Sequence, residues 1–366
     1  MIKPISAIVI GKNRDHGTFG SEIAMARIDP LSDPAWDREV AAHASSTFFH
    51  SAAWARILTR TYGHRPYYLR LSCAEQVVAL VPLMEVRSPW TGRRGVSLPF
   101  TDTCEPLIFQ QSDRCDIFEK LSYLARSRKW KYLQIRGNPP PASVTRPSLS
   151  FFHHFLDLRC GSEQLFAGLE SSVRRAIRKA ERNSLTITIG HSPEAMRDFY
   201  RLHCLTRRRH GAPPQPWRFF QILFDEVISS GGGFVALATA DSTPIAASVF
   251  VRFGNKAVYK FGASDENRQE LRANNCVMWE GIKALAASGC ETLDFGRTSL
   301  QNTGLRRFKL GWGAEEKIVH YYKWHPVSEK WLDENDKSTG FHTNIFQKLP
   351  VALNRLAGAI LYPHLD

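Results

Sequence analysis

The segment LDFGRTSLQNTGLRRFKLGWG, residues 293–313, joins a short apolar strand to a stretch rich in glycine, arginine and lysine. Its glycines permit close backbone approach and positive φ angles, and cations stand beside them. The residues concerned are Gly296, Gly304, Gly311, Gly313, Arg297, Arg306, Arg307 and Lys309. Such a strand followed by such a loop predicts a place that holds an anion or a polarised carbonyl. The alternative is a basic surface turn, because charged runs are mostly solvated.

The whole chain is long and basic. Its 366 residues suggest two domains of ordinary size, and a composition of 43% hydrophobic and 23% charged residues is globular. The net charge of +13 attracts polyanions, which include nucleic acid, an anionic lipid surface and phosphorylated small molecules. Charge alone does not choose among these partners.

The seven cysteines are scattered and never spaced as C-x-x-C, a pattern that predicts neither a disulfide framework nor a zinc site. We therefore expect a protein of the reducing cytosol that binds no metal. No window of the sequence approaches the roughly 18 apolar residues of a membrane-spanning helix. The positive charge nevertheless leaves peripheral membrane contact open.

The two halves of the chain repeat one order of predicted elements. The first half contains predicted strands at 77–87 and 96–100, a helix at 117–127 and a strand at 132–136. The second half contains predicted strands at 233–240, 245–253 and 257–263, a helix at 274–287 and a strand at 292–295. Setting VVALVPLMEVR beside IAASVFVRFGN, and KWKYLQIRG beside GCETLDFGR, gives offsets of about 160 residues for both pairs, which is typical of one domain. The pattern predicts an α+β protein of two domains with largely antiparallel, hairpin-joined strands, the alternative being chance similarity.

The segment GNPPPASVTRP, residues 137–147, is polar and rich in proline, so it is the best candidate for a linker. We place an N-terminal domain at residues 1–160 and a second domain at residues 161–345. Residues 346–366 are predicted to form a C-terminal helix.

A strongly basic helix is predicted to begin near Ser162, because apolar residues recur at spacings of three and four as far as Ala180. Its remaining face carries Arg174, Arg175, Arg178, Lys179 and Arg182. Like charges one turn apart repel by a few tenths of a kcal/mol per pair, and an anionic partner would relieve that repulsion. The alternative is a solvated basic face.

Motifs along both halves resemble those of the FemAB-like acyltransferases, which are tandem relatives of the GNAT N-acetyltransferase fold and include the peptidoglycan peptidyltransferases. In the second half these are RRAIRKAERN, TRRRHGAPPQPWRFF and the segment 293–313; in the first half, FFHSAAWARILTRTYGHRPYYL and SLPFTDTCEPLIF agree. QKLPVALNRLAGAIL resembles the closing helix of exopolysaccharide-associated members. The resemblance covers about residues 48–361 and implies two tandem GNAT-like domains, each a mostly antiparallel mixed sheet flanked by helices.

The resemblance implies amide formation. An activated acyl group would move from acyl-CoA or an aminoacyl-tRNA, as co-substrate, to an amine of a phosphorylated or lipid-linked cell-envelope or exopolysaccharide precursor, with no tightly bound cofactor. Lys309 matches the lysine of the family motif F-K-x-G-[FW]-G, which is thought to stabilise donor phosphates or developing charge, so it is the first catalytic candidate. The residues predicted to bind substrate are Arg174, Arg175, Arg178, Arg297, Arg307 and Tyr259.

The general base and the donor site are less directly indicated. Asp102, in the family-like loop PFTDTCEP, is the first candidate for the base, and His320 and Glu270 are weaker ones. Coenzyme A-binding GNAT domains place Q/R-x-x-G-x-G/A before a helix, whereas residues 269–274 here read QELRAN. The missing glycines put the usual mode of coenzyme A binding in doubt, although Arg272 near a helix N-terminus would serve a phosphate. A non-catalytic binder of nucleic acid or anionic membrane, acting through the basic helix, is the alternative of another class.

Overall fold

The computed structural model describes residues 23–109, 114–137, 146–183, 185–334, 336 and 343–366. The elements of the first half are β1 (Ala24–Ile28), α1 (Trp36–Ala41), α2 (Ala52–Tyr62), β2 (Arg65–Pro66), β3 (Tyr68–Cys73), β4 (Gln76–Val81), β5 (Met84–Ser88), β6 (Gly92–Val96), β7 (Leu107–Ile108), α3 (Arg114–Ser127), β8 (Leu133–Arg136) and β9 (Leu149–Asp157). Residues 138–145 of the predicted linker lie outside the described residues.

The second half begins with two helices and ends with two. Its elements are α4 (Gly161–Gly168), α5 (Ser171–Arg182), β10 (Thr186–Gly190), α6 (Pro193–Arg209), α7 (Trp217–Leu223), β11 (Gly233–Ala240), β12 (Thr243–Phe253), β13 (Lys256–Ser264), α8 (Ala273–Ala287), β14 (Thr292–Ser299), α9 (Thr303–Leu310), β15 (Glu315–His325), β16 (Lys330–Trp331), α10 (Thr343–Lys348) and α11 (Val351–Leu361). Short helical turns occur at Phe48–His50, Phe224–Ile228, Glu266–Leu271 and Tyr362–His364. In the described part of the chain, every helix falls short of the length and apolar character needed to cross a bilayer.

The strands form two sheets. One has the order β1-β3-β4-β7, and the larger has the order β10-β11-β12-β13-β14-β9-β15-β8-β6-β5-β2, with β16 paired to β15. Among the described strands the pairs are antiparallel except β6 with β8 and β13 with β14. Each parallel pair has a helix between its strands in the sequence, α3 in the first half and α8 in the second. The prediction of an α+β protein built from two similar, mostly antiparallel units is confirmed.

Strand β9 joins the two halves into one sheet. It precedes α4 in the chain, yet it lies between β14 and β15 and is antiparallel to both. On its far side β15 pairs with β8 of the first half. Strands of the two halves therefore interleave at the centre of the sheet, and the boundary predicted at residue 160, which stays a prediction, divides the sequence without dividing the sheet.

Three large hydrophobic cores hold the helices to the sheets, and the smallest of them contains Leu121 of α3 and Leu133 of β8. The first draws on both halves, because Trp54 of α2 is buried in the same cluster as Phe199 of α6. The second lies beneath α5 and α8 and contains Ile177, Val277 and Trp312. Burying one such side chain contributes about 1.5–3 kcal/mol to the free energy of folding. The buried side chains therefore hold the helices in fixed positions on the sheets.

The basic helix predicted from Ser162 to Arg182 is two helices, α4 and α5, so the prediction of one continuous helix is wrong. The chain turns at Leu169, whose ψ of 148° is extended, and the side chain of Leu169 is buried. The N–H of Glu170 donates a hydrogen bond to the carbonyl of Gly311 at 3.0 Å. Tertiary contacts with the segment after α9 therefore override the helical periodicity.

The stretch after β14 that was predicted as a loop is largely the helix α9, so this prediction is also wrong. The Oδ1 of Asn302 accepts a hydrogen bond from the N–H of Leu305 at 3.0 Å and caps the helix. Leucine, arginine and lysine, which make up most of the helix, have good helix propensity. Gly313, with a φ of 74°, lies beyond the end of the helix.

Candidate active site

The large sheet opens between β13 and β14. These strands pair in parallel over Lys256–Val258 and Thr292–Asp294, although both strands continue beyond these residues. On its other side β14 pairs with β9, with a register shift between Asp294 and Arg297. We call the opening beyond Val258 and Asp294 the split. Diverging parallel strands leave a slot in which a substrate can lie beside the main chain.

Gly296 lies at the register shift of β14, and only glycine fits there. Its φ is 73°, and the Oδ2 of Asp102 lies 2.8 Å from where a Cβ atom would stand. The Oδ1 of Asp294 accepts hydrogen bonds from the N–H of Gly296 and from the Nε2 of His153, both at 2.6 Å. The Oδ2 of Asp294 is buried with no hydrogen-bond partner among the described residues. This network ties β9 to β14 at the split and places the carboxylate of Asp102 against the bulge.

Lys309, on α9, forms hydrogen bonds to the backbone of the same bulge at Gly296. Its side chain is 3% exposed, and its Nζ donates hydrogen bonds to the carbonyl oxygens of Gly296 and Arg297 at 2.7 and 2.9 Å. Burial lowers the pKa of Lys309 to about 8, although the nearby carboxylates of Asp102 and Asp294 oppose that shift. The ammonium therefore holds the backbone of β14 directly beside Asp102.

The lowered pKa of Lys309 predicts a pH dependence of stability. Because the unfolded chain holds the lysine proton up to about pH 10.5, the unfolded state binds more protons than the folded state between about pH 8 and 10.5. The destabilising contribution of Lys309 is thus full below pH 8 and disappears as the pH rises through this window. We expect the free energy of unfolding of the wild type to gain up to about 3 kcal/mol relative to Lys309→Met between pH 7.5 and 10.5. Urea titrations of both proteins at several pH values measure the difference, and parallel pH profiles would contradict it.

Asp102 stands among cations at the split. The Nε of Arg297 lies 3.9 Å from its Oδ1, and the Nζ of Lys260 donates a hydrogen bond to the neighbouring carbonyl of Phe100 at 2.7 Å. Burial raises the pKa of Asp102, but the positive charges of Lys260 and Arg297 outweigh it, so the pKa lies below its usual value. Asp102 is therefore an ionised carboxylate at neutral pH, suited to binding an ammonium group.

A basic cavity lies on the other side of α9, between α5, the N-terminus of α8 and α9. It has a volume of about 570 Å³, and its cationic lining residues are Arg175, Lys179, Arg272 and Arg307. The described lining includes one carboxylate, Glu170. Helix α8 begins at Ala273 without a side-chain cap. An uncapped helix N-terminus among arginines is a favourable environment for phosphate.

Helix α9 separates the cavity from the split. Gly304, Arg307, Phe308 and Gly311 line the cavity, whereas Lys309 contacts the backbone of β14. The structure thus distributes the predicted site residues between two neighbouring places. Arg175, Arg272 and Arg307 lie in the cavity; Asp102, Arg297 and Lys309 lie at the split.

Three predicted substrate-binding residues lie outside the cavity lining: Arg174 and Arg178 face α4, and Tyr259 follows Val258 at the border of the split. The Nη1 of Arg174 donates a hydrogen bond to the carbonyl of Ala167 at 3.0 Å, and the guanidinium of Arg178 lies over the ring of Phe166 at 5.6 Å. Both side chains face α4. The hydroxyl of Tyr259 occupies the space that the missing side chain of Gly262 leaves. These residues lie outside the cavity lining, and their predicted contacts with substrate stay predictions.

The two weaker candidates for the general base also have other surroundings. The Nδ1 of His320, on β15, forms a hydrogen bond with the hydroxyl of Ser150 at 2.9 Å, and burial lowers its pKa. Glu270 is exposed in the turn before α8. Of the candidates for the base, Asp102 is the one that the structure places against the bulge of β14.

Sequence reasoning missed three residues of this region: His153, Lys260 and Asp294. Asp294 interrupts the apolar strand LDF, and Lys260 stands between aromatic residues in YKF, so each had a signal as a charged residue in a predicted buried strand. His153 had no such signal, because its partner Asp294 is distant in the sequence. Within the described residues, no group of histidine, cysteine and acidic side chains could hold a metal ion.

Known proteins resemble this chain in one sequence domain and in fold. Residues 169–323 match the family model of the acetyltransferase (GNAT) domain. No curated protein matches the chain in sequence. Among solved structures, FemX has a TM-score of 0.65 at 13% identity, covering 81% of this chain and 96% of its own.

Two further structures share the fold. A tandem GNAT protein from the clavulanic acid biosynthesis pathway has a TM-score of 0.53 at 9% identity, covering 83% of this chain and 99% of its own. The L-PGS of Bacillus licheniformis has a TM-score of 0.51 at 12% identity, covering 93% and 99%. The strands and helices that form the split and the cavity, β13, α8, β14 and α9, lie within residues 169–323, which match the acetyltransferase (GNAT) domain. Asp102 and His153 lie outside that match.

Proposed function

We propose that this chain, which carries a match to the GNAT acetyltransferase domain and shares its fold with FemX, is a FemAB-like acyltransferase that forms an amide between an activated acyl group and an amine of a cell-envelope or exopolysaccharide precursor. The observation that carries this proposal is the pairing of the basic cavity with the split across α9. One place suits the phosphates of a donor, and the other suits a reacting carbonyl and an amine.

The donor is proposed to bind with its phosphates in the basic cavity. Arg175, Arg272 and Arg307 supply guanidinium groups that match phosphate oxygens, and Lys179 adds a fourth charge. Both donors carry phosphates and an activated acyl group: in acyl-CoA the pantetheine arm links the two, and in an aminoacyl-tRNA the acyl ester is on the terminal nucleotide. The match to an acetyltransferase domain supports acyl-CoA. An aminoacyl-tRNA is the other candidate donor, which the resemblance of the sequence motifs to FemAB-like proteins implies.

The reaction itself is proposed to occur at the split. The amine nitrogen forms the new bond to the acyl carbon, the bond to the donor's sulfur or ribose oxygen breaks, and the leaving group takes up a proton. The ionised Asp102 would hold the acceptor's ammonium beside the acyl carbon, the ammonium would lose its proton to solvent before attack, and the nearby charges of Arg297 and Lys309 would stabilise the developing oxyanion. A preorganised arrangement of this kind lowers such a barrier by a few kcal/mol.

The acceptor class is proposed from the names of the structural neighbours. FemX and a lysylphosphatidylglycerol synthetase share the fold, and the second covers 78% of this chain at a TM-score of 0.52. An amine on a phosphorylated or lipid-linked envelope precursor suits the charge of this protein and the ionised Asp102.

The donor class can be tested by incubating the purified protein with either acetyl-CoA or charged tRNA. The acceptors are a panel of amine-bearing sugars that are linked to a nucleotide or to a lipid. We expect one donor class to give an acceptor product heavier by one acyl group, detected by mass spectrometry, because the donor is proposed to bind in the cavity and the acceptor at the split. The matched control is Lys309→Met, which should form far less product. Absence of transfer from both donor classes, with folded protein and a broad acceptor panel, would contradict the proposed function.

A further inference from the structure

The C-terminal helix α11 has an inverted arrangement of side chains. Asn354 and Gly358 face the body of the protein and are buried, whereas Leu353, Leu356 and Ile360 are exposed at 51%, 57% and 50%. The three exposed residues lie at spacings of three and four, on one side of the helix. Burial of large apolar groups normally decides which face of a helix packs inward. Here the small and polar residues pack inward, and the aliphatic stripe faces outward.

The contacts of the inner face fix this orientation. A Cβ atom on Gly358 would stand 1.9 Å from the carbonyl oxygen of Pro214, so the helix approaches that backbone as closely as glycine permits. The Nδ2 of Asn354 donates a hydrogen bond to the carbonyl of Ala212 at 3.5 Å, and the hydroxyl of Tyr362 donates one to the carbonyl of Pro213 at 3.3 Å. Rotating α11 to bury its leucines would break all of these contacts. The exposed stripe is therefore a fixed feature of the surface.

Neighbouring residues extend the apolar surface. Ile345 of α10 is half-exposed, and α10 is tied to the end of α6, where the Nε2 of Gln347 donates a hydrogen bond to the carbonyl of Arg209. A groove of about 340 Å³ beside α11 is lined by the aromatic residues Tyr200 and Trp217 together with Leu356. Tyrosine and tryptophan are the residues that favour a boundary between apolar and aqueous surroundings.

Basic side chains border this surface, and the side-chain carboxylate of Asp366 contacts Arg94 and Tyr132. Residues 343–365 contain Lys348 and Arg355 but neither aspartate nor glutamate. Arg355 borders the stripe, with its guanidinium 5.2 Å from the centre of the Tyr200 ring, and Arg207, Arg208 and Arg209 end the adjoining helix α6. Long basic side chains beside an apolar stripe can lie against anionic headgroups while the aliphatic groups enter the acyl layer.

We propose that Leu353, Leu356 and Ile360, with the basic residues Lys348 and Arg355 nearby, form a docking surface for an anionic lipid bilayer, on which α11 lies in the plane of the interface. A second copy of the chain is a poorer occupant, because a symmetric contact would bring the same positive charges together. An acidic bilayer would bury the apolar stripe among its acyl chains and pair its anionic headgroups with the basic residues beside the stripe. This surface is separate from the split and the cavity, so the inference does not depend on the proposed function.

Vesicle co-sedimentation tests this surface without any measurement of activity. We expect the wild type to bind vesicles of phosphatidylglycerol and phosphatidylcholine in equal parts, and to bind pure phosphatidylcholine much more weakly. Leu353→Ser/Leu356→Ser/Ile360→Ser should lower binding to the anionic vesicles by about 10²-fold, because three aliphatic groups no longer enter the bilayer. Lys348→Gln/Arg355→Gln should lower it by about tenfold and abolish much of its dependence on salt.

The matched control is Ile318→Ser/Val327→Ser, which removes two exposed aliphatic side chains from elsewhere on the surface and should bind as the wild type does. A second variant, Leu356→Trp, should show an additional blue-shifted emission on addition of anionic vesicles when the spectrum of the wild type, which has nine tryptophans, is subtracted, and this difference reports entry into the acyl layer in a folded protein. Unchanged binding of the triple serine variant would overturn the proposal. So would a wild-type dimer, detected by light scattering, that the serine substitutions dissociate, because it would assign the surface to a second copy.

Discussion

Replacing Lys309 with methionine is expected to lower kcat by about two to three orders of magnitude while changing the KM of either substrate only a few-fold. The Nζ of Lys309 holds the carbonyl oxygens of Gly296 and Arg297, and this bulge carries the backbone beside Asp102. Without the ammonium, the bulge can relax and the positive charge near the reacting carbonyl is lost. A misplacement of about 1 Å in such a site costs about 10²-fold in rate.

The variant should remain folded, since the loss of two hydrogen bonds is offset by removal of a desolvated charge. Lys317→Met is the matched control, because Lys317 is an exposed lysine on the adjacent strand β15. Thermal unfolding of both variants and steady-state kinetics with each substrate varied in turn separate a catalytic defect from a folding defect. A Lys309→Met enzyme that keeps its kcat would show that the lysine serves only the packing of α9.

The double substitution Arg175→Gln/Arg272→Gln is expected to raise the dissociation constant and KM of the donor by about 10²-fold or more, with kcat reduced only a few-fold. Each guanidinium that binds a phosphate contributes about 1.5–3 kcal/mol, which corresponds to about one to two orders of magnitude in affinity. Arg175 and Arg272 line the same cavity from two different helical segments, so both should contact one bound donor.

Helix α5 supplies a matched control for this experiment. Arg174→Gln/Arg178→Gln removes the same charge and the same number of arginines from neighbouring positions, but these two side chains face α4. Donor affinity should fall much less in this control, and isothermal titration with the donor measures both variants directly. Equal losses in the two double variants would mean that the net charge of the helix, rather than the cavity, attracts the donor.

Local patterns were sufficient for much of the fold. The strands of the second half, the helix now labelled α8 and the repeated order of elements follow from apolar periodicity, which acts over a few residues at a time. Errors arose where distant contacts intervened. The bend at Leu169 depends on the carbonyl of Gly311, and the interleaving of β9 between β14 and β15 depends on pairings across the whole second half.

The candidate site shows the same division. Lys309, Asp102, Arg175 and Arg307 were identified as charged residues in family-like motifs, and Arg272 as a cation near a helix N-terminus. Their grouping into a cavity and a split could not be predicted, because α9 was expected to be a loop that presents all of its cations to one ligand. Helical geometry instead directs Arg307 to the cavity and Lys309 to β14.

The sequence by itself determined the chemical inventory: an excess of cations, glycines that tolerate unusual backbone angles, and apolar periods that set the order of strands and helices. The tertiary structure alone decided which charges meet. His153 and Asp294 are brought into contact by strand pairing, and Lys309 becomes a buried clamp whose pKa is lowered. The physical reason is that charge is carried by single residues, whereas desolvation and hydrogen bonding are created by packing between segments that lie far apart in the chain.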